Sequence, residues 1–301
     1  MEALLEASLR LAAPLLIAAL GELLVERSGV VNIGIEGTML TGAFAAFAVG
    51  AATGSAAAGV AAAAAAGCAV GGLFAGFAVV RKMDQIVVGM AVNLLALGAT
   101  GLASRALYQG APPLAPIVAP LALPGLAEWP WIGALFRQTP FVYAALVLAA
   151  VVGLGLAFTR VGLGLRAVGE SARAADAAGV AVERVRVAAV LLGSLLAGVA
   201  GASLSLALAG TFTEGMTAGR GFIALAVVIF GRWSAGGAVW AALFFGGATA
   251  LQFRLQARGV PVPYPLFLMF PYAVTLVVLA VAAGRGRAPA DLGRAYRREE
   301  A

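Results

Sequence analysis

The chain alternates long apolar runs with short charged stretches, and the lengths of the runs are those of membrane crossings. A helix rises about 1.5 Å per residue and a bilayer core is roughly 30 Å thick, so one span takes about 20 residues. Residues 37–80 carry no charge, and Thr53-Gly54-Ser55 offers a turn midway, which predicts two spans. Further runs cover 86–104, 138–159, 187–213, 233–253 and 259–284. The apolar stretch from Leu11 to Gly21, which leads into Glu22, predicts a first span rather than a secretory signal, because Glu2 and Glu6 leave no basic leader. The run 221–231 is too short to cross alone and predicts a tilted or broken helix supported by its neighbours. The expected fold is an all-α integral membrane bundle of about eight full spans plus one short span. It forms a single transmembrane domain over residues 1–284, with a basic tail over 285–301.

Composition agrees with that pattern. Of the 301 residues, 62% are hydrophobic and 11% charged, with a mean hydropathy of +0.99. A soluble domain carries about 25% charged residues, so the apolar excess here must face lipid. The net charge of +6 comes from arginines in the loops. That placement suits membrane topology and gives no reason to invoke nucleic acid. With the N-terminus outside and all nine segments crossing, 14 basic residues fall inside and 6 outside. The tail and the loop over 160–186 are then cytoplasmic. The proline-dense loop over 106–139, with Pro112, Pro113, Pro116, Pro120 and Pro124, is extracytoplasmic, and its Trp129 and Trp131 suit a membrane–water interface.

Several chemistries are excluded. The chain has no histidine, one cysteine (Cys68), and no G-x-x-x-x-G-K-[ST] phosphate loop. It therefore carries no nucleotide site of that kind, no histidine metal site and no internal disulfide. No paired carboxylates fall in the middle of a predicted span, which leaves little for an intramembrane enzyme. No cofactor and no metal are expected.

The remaining polar residues are few enough to weigh singly. Asn32, Glu36, Thr38 and Thr41 head an apolar run, and Gly29, Gly34 and Gly37 permit unwound backbone there. Polar groups at membrane depth face a cavity or one another, and transporters place substrate near interrupted helices. Asn32, Glu36 and Thr41 are thus candidate pathway residues. Glu36 has a second reading, favoured by its nearness to the predicted loop, in which it caps at the cytoplasmic interface or pairs with Arg27. Asn93 lies near mid-span, where an asparagine either bonds a neighbouring helix or lines the pathway. Gln252, Thr249 and Ser203 are weaker candidates of the same kind. Phe44, Phe47, Phe244 and Phe245 could stack on a base or a sugar, or simply pack. Gly67, Gly71 and Ala75, and Gly193, Ala197 and Gly201, recur every fourth residue, a spacing that lets helix backbones approach closely.

The loop over 160–186 carries charges of both signs in an alanine-rich setting. Alanine favours helix. Arg166–Glu170, Glu170–Arg173 and Arg173–Asp176 fall at i,i+4 or i,i+3 spacing, and Gly179 is placed to stop the helix. A short helix over 166–178 is expected, with one charged face and one small-residue face. It can insert into a partner's cleft, or it can be a solvated loop.

That stretch resembles the coupling loop of ABC importer permeases, with the glutamate-alanine-alanine…glycine pattern at Glu170, Ala174, Ala175 and Gly179. The segment from Glu26 to Gly42 is more specific still, running Asn32-Ile33-Gly34-Ile35-Glu36-Gly37-Thr38-Met39-Leu40-Thr41-Gly42. It resembles the nucleoside and simple-sugar branch of those permeases, related to ribose and branched-chain amino acid permeases. Asp84–Gly89, Asn93–Gly98 and Gly219–Gly231 resemble the same branch, and the likeness covers roughly residues 8–283. It implies a permease subunit of an ATP-driven importer in a bacterial or archaeal cytoplasmic membrane. Its partners would be a cytoplasmic ABC ATPase, a second related permease in a heterodimer, an extracytoplasmic substrate-binding protein, and membrane lipid. Arg166, Gly169, Glu170, Arg173, Ala174, Ala175 and Gly179 would form the ATPase-coupling surface. The competing class is an ion-gradient-driven carrier or channel, which usually buries ionisable residues for coupling, whereas these spans are nearly free of them. Between the substrates of the branch, the stretch from Asn32 to Gly42 leans toward nucleosides.

Overall fold

The computed structural model describes residues 2–109, 113–122, 124–125, 133–257 and 288–297, together with Met269 and Ala273. Seven helices among the described residues are long and apolar enough to cross a membrane. They are α1 (Glu2–Arg27), α2 (Ile35–Thr53), α3 (Ala56–Ala75), α4 (Gln85–Tyr108), α5 (Pro140–Phe158), α8 (Val182–Ser203) and α10 (Ala235–Ala257). Two short helices, α6 (Arg160–Glu170) and α7 (Ala172–Ala177), precede α8, and α9 (Arg220–Phe230) is the short apolar helix expected from 221–231. π-helical turns over Gly76–Val80 and Leu204–Ala209 prolong α3 and α8. Leu121–Ala122 and Arg137–Gln138 form a two-stranded antiparallel ribbon. Apart from Met269 and Ala273, the last expected span, 259–284, lies outside the described residues, as do Trp129 and Trp131.

Helix ends fall where the chain supplies partners for the orphan backbone groups. Gly54 closes α2 at φ +66°, and the Ser55 hydroxyl accepts from Ala58 N to open α3. The Asp84 carboxylate accepts the N–H groups of Ile86 and Val87, each at 2.9 Å, at the head of α4.

Helix α8 is central, packed against α1, α2 and α3. The small-residue stripes are what make this possible. A Cβ on Gly198 would overlap the Ala63 carbonyl, one on Gly67 the Ser194 carbonyl, and one on Gly201 the Met39 carbonyl. Such approach gains dispersion contact that lipid cannot match. Large apolar side chains on α4 (Ile86, Val87, Leu94, Leu102) and α5 (Val147, Val151, Leu154) remain exposed.

Two expectations are corrected. The first span does not end before Glu22. Helix α1 continues to Arg27, and Glu22 and Glu26 are buried within the protein at 1% and 3% exposure. The helix expected over 166–178 is two helices broken at Ser171, which is extended (φ −155°) and caps α7 by accepting from Ala174 N. Alanine propensity is a weak preference, and a serine cap with a tertiary partner overrides it. The break separates Glu170 from Arg173. Ion pairs among the described residues include Glu6–Arg10, Arg105–Glu214 and Asp291–Arg294, and none is seen between Arg166 and Glu170 or between Glu170 and Arg173.

Candidate translocation site and coupling surface

The site begins where α1 and α2 fail to join directly. After Arg27 the chain turns through Gly29 at φ +87° and runs non-helically until α2 starts at Ile35. Its backbone groups find side-chain partners. Val31 N donates to Gln85 Oε1 (2.8 Å), and Asn32 N donates to Glu22 Oε1 (3.0 Å). Glu22 lies a full helical turn before Glu26 in α1, so residues 28–34 double back alongside α1 before α2 begins. Irregular backbone is tolerated at this depth because protein surrounds it.

Helix α9 is the second interruption. It follows Ala218 and Gly219, both in the left-handed region, and its N-terminal N–H groups point at Glu36. Gly219 N and Gly221 N donate to the two carboxylate oxygens of Glu36 at 2.8 and 2.6 Å. A carboxylate at a helix N-terminus is favoured by both the hydrogen bonds and the helix dipole. At its other end, α9 turns into α10 through Arg232 and Trp233, which also take positive φ. That turn costs strain of about 1–3 kcal/mol per residue. It is held by α1. The Trp233 indole donates to Glu26, and Arg27 Nε donates to the Trp233 carbonyl at 2.8 Å. Helix α9 is therefore stretched between Glu36 at its head and Glu26 and Arg27 at its foot.

Asn93 fastens the start of α2. Its Oδ1 accepts from Gly37 N (2.7 Å) and its Nδ2 donates to Ile33 O (3.0 Å). Asn32 Nδ2 reaches Ser194 Oγ at 3.5 Å, while its buried Oδ1 has no partner among the described residues. Substituting Asn93→Ala leaves one N–H and one carbonyl unpaired, at about 1–3 kcal/mol each where water is excluded. The purified N93A protein is expected to melt well below the wild type. Equal melting temperatures would show that Asn93 is not a strut.

The structure thus brings Asn32, Glu36 and Asn93 into one polar cluster built from α2, α4, α8, α9 and the segment 28–34. Thr41 continues up α2, its hydroxyl donating to Gly37 O at 2.8 Å. Phe44 follows, meeting Phe212 edge-on at 5.1 Å. Phe47 packs against Phe212 and Tyr108 beyond it. Gln252 does not join the cluster. It is buried on α10, whose neighbours are α1, α5 and α9. Glu36 does not pair with Arg27, because the α9 N–H groups hold its carboxylate and Arg27 is turned to Trp233. Sequence reasoning missed Glu22, Glu26, Ser194, Phe212 and Trp233. A signal existed for the first two: carboxylates at i,i+4 directly following an apolar run, with no lysine or arginine between them.

At the end of the bundle away from Gln85, Arg105 of α4 makes two 2.7 Å hydrogen bonds to the Glu214 carboxylate. Those bonds hold the Glu214 carboxyl below its usual range. The proline-dense segment runs across the same end, with Ala115 N donating to Gly210 O and Val118 N to Leu206 O, each at 2.9 Å.

The charged loop lies at the opposite end. Ala172 and Ala175 are buried with Val168 and Val182, while Glu170, Arg173, Ala174 and Gly179 are exposed. Gly179 takes φ +85°, ending α7 as a left-handed stop. Arg166 bends back to the Gly162 carbonyl (3.4 Å). At Gly169 a Cβ would overlap the Arg27 carbonyl, so the end of α6 rests backbone to backbone on the end of α1.

Apolar spans around interrupted helices that carry polar groups inward, with a charged loop fixed at one end, define a polytopic helical membrane protein. The chain belongs to the family described as branched-chain amino acid transport system / permease component, which matches residues 4–279. It is 37% identical over 303 residues to the guanosine ABC transporter permease protein NupQ of Bacillus subtilis, covering 96% of this chain and 95% of that one. It is 36% identical over 325 residues to the putative glucose ABC transporter permease protein TsgC13 of Haloferax volcanii, covering 98% of each. It is 34% identical over 287 residues to the nucleoside ABC transporter permease protein NupC of Lactococcus lactis, covering 92% and 90%. No solved structure matches. The chain is the permease subunit of an ATP-driven ABC importer, a multi-pass protein of the cell membrane, rather than an ion-gradient-driven carrier or channel. Such a subunit works with an ATPase and a substrate-binding partner.

Proposed function

We propose that this permease imports nucleosides, with simple sugars as the second substrate class, and that substrate passes the cluster of Asn32, Glu36, Asn93, Thr41 and Phe44. The observation that carries the reading is the Glu36 cap on α9. It sets a carboxylate at the junction of two interrupted helices, the arrangement in which transporters place substrate. A nucleoside offers hydroxyls and ring nitrogens for polar groups and a flat face for Phe44. The names of two relatives, a guanosine and a nucleoside permease, favour nucleosides. The glucose permease keeps sugars as the alternative. The exposed faces of α6 and α7 take the ATPase, with Glu170, Arg173, Ala174 and Gly179 outermost. The N-terminus lies outside and the described tail lies in the cytoplasm. A second, related permease completes the assembly, with the apolar faces of α4 and α5 divided between it and lipid.

The substrate class is tested with the assembled importer in proteoliposomes loaded with ATP. Uptake of labelled guanosine should be suppressed by other nucleosides and unaffected by hexoses. Uptake of glucose that nucleosides do not inhibit would overturn the nucleoside reading in favour of sugars.

A further inference from the structure

Residues 288–297 form a short basic segment that is tied to four separate described elements, all far from it in sequence. Asp291 N donates to the Gly169 carbonyl at the end of α6 (2.9 Å), and Asp291 Oδ2 accepts from Ala172 N at the start of α7 (2.7 Å). One residue therefore bridges the break at Ser171 from both sides. Gly293 N donates to the Gly29 carbonyl (3.0 Å), and the Arg294 carbonyl accepts from Arg186 Nη1 of α8 (2.8 Å). The Tyr296 hydroxyl donates to Asp176 Oδ2 of α7 at 2.9 Å. Apolar contact reinforces these bonds. Leu292 packs on the main core, and Tyr296 packs on the cluster of Val168, Ala172, Ala175 and Val182.

We propose that this segment is a clamp that makes the coupling helices and the non-helical stretch 28–34 one rigid unit, with Asp291 as its positioning residue. The proposal rests on the reading that α6 and α7 receive the ATPase. The connection runs through named bonds. Gly29 and Ser28 are held by the tail and by Arg186, whose Nε donates to the Ser28 carbonyl at 3.1 Å. From Gly29 the chain leads through Asn32 directly to Glu36, which caps α9. A push on α7 thus reaches the substrate cluster through hydrogen-bonded backbone. With the clamp cut, α6 still packs on Arg27 and Gly29 through Gly169, but the hydrogen bonds that tie α7 to the tail and the tail to Gly29 no longer act together. Coupling carried this way needs contiguous, discrete contacts, and the tail supplies them.

The test uses the complete importer in proteoliposomes and reads substrate transported per ATP hydrolysed. Asp291→Ala should still bind the ATPase and hydrolyse ATP, while the transport ratio falls by about threefold or more, the size expected when a coupling contact is lost. Asp291→Asn, whose side-chain oxygen still accepts the Ala172 N–H, should retain most of the ratio. A second variant guards against a misfolded D291A chain. Ala172→Cys with Asp291→Cys, in a Cys68→Ala background, is bridged by a short bifunctional thiol reagent. The bridged form should couple like wild type, and the unbridged form of the same preparation should behave like D291A. An unchanged ratio in D291A, or a bridged form that no longer transports, overturns the clamp. Unchanged ATPase binding and transport on substituting the exposed Glu170 and Gly179 would instead count against the coupling role of α6 and α7.

Discussion

Substituting Glu36→Ala is expected to reduce transport about 100-fold per assembled complex while the chain still inserts. Two charge-assisted hydrogen bonds, from Gly219 N and Gly221 N, are lost together. Bonds to a charged group contribute about 1.5–3 kcal/mol each, and a loss near 3 kcal/mol corresponds to roughly two powers of ten. The donors left behind are at the head of a helix of 11 residues that has no side-chain cap of its own. Helix α9 should then fray at the point where it meets α2. Glu36→Gln keeps one acceptor oxygen and should fall between. Uptake by E36A at the wild-type rate would show that the cap is dispensable and that α9 is held by packing alone.

The second large effect concerns stability. Gly198 sits in α8 with no room for a side chain, since a Cβ would overlap the Ala63 carbonyl and approach the Gly67 Cα at 3.1 Å. A Gly198→Val substitution must push α3 away from α8, and backbone cannot yield as a flexible side chain can. Overpacking costs typically 1–3 kcal/mol, and a backbone clash lies at or above about 3. The variant is expected to melt far below wild type in detergent or to fail to accumulate in the membrane. Gly98→Val is the matched control, because nothing lies within 4 Å of a Cβ at Gly98. Equal losses from both substitutions would mean that the close α3–α8 approach does not set stability.

What could be read from the chain alone follows from which forces act locally. Span lengths are imposed by the bilayer, so 37–80 divided correctly at Gly54, and 221–231 appeared as a helix too short to cross. The small-residue stripes were legible as packing surfaces because their spacing is a property of one helix. What each stripe meets is a property of two. Glu36 was visible as an unusual carboxylate beside a loop. Its partner was not, because the N–H groups that hold it lie at 219 and 221, and Arg27 was the nearest charge along the chain. Glu22, into which the apolar stretch from Leu11 leads, and Glu26 both lie inside α1, although a carboxylate beside lipid is costly. They are tolerated because α1 is enclosed by α5, α8, α9 and α10, and because Asn32 and Trp233 donate to them. The break at Ser171 was hidden by alanine propensity, and the bond that fixes it comes from Asp291, 119 residues away.

The central claim is that this permease moves substrate through the Glu36–Asn93 cluster on power supplied from outside the chain. The most direct measurement is uptake of labelled guanosine into proteoliposomes, with the ATPase, partner permease and binding protein added or withheld one at a time. Transport should require ATP and the ATPase, persist when ionophores collapse every ion gradient, and fall about 100-fold with E36A. Uptake by this chain alone, driven by an ion gradient and indifferent to ATP and to Glu36, would contradict it.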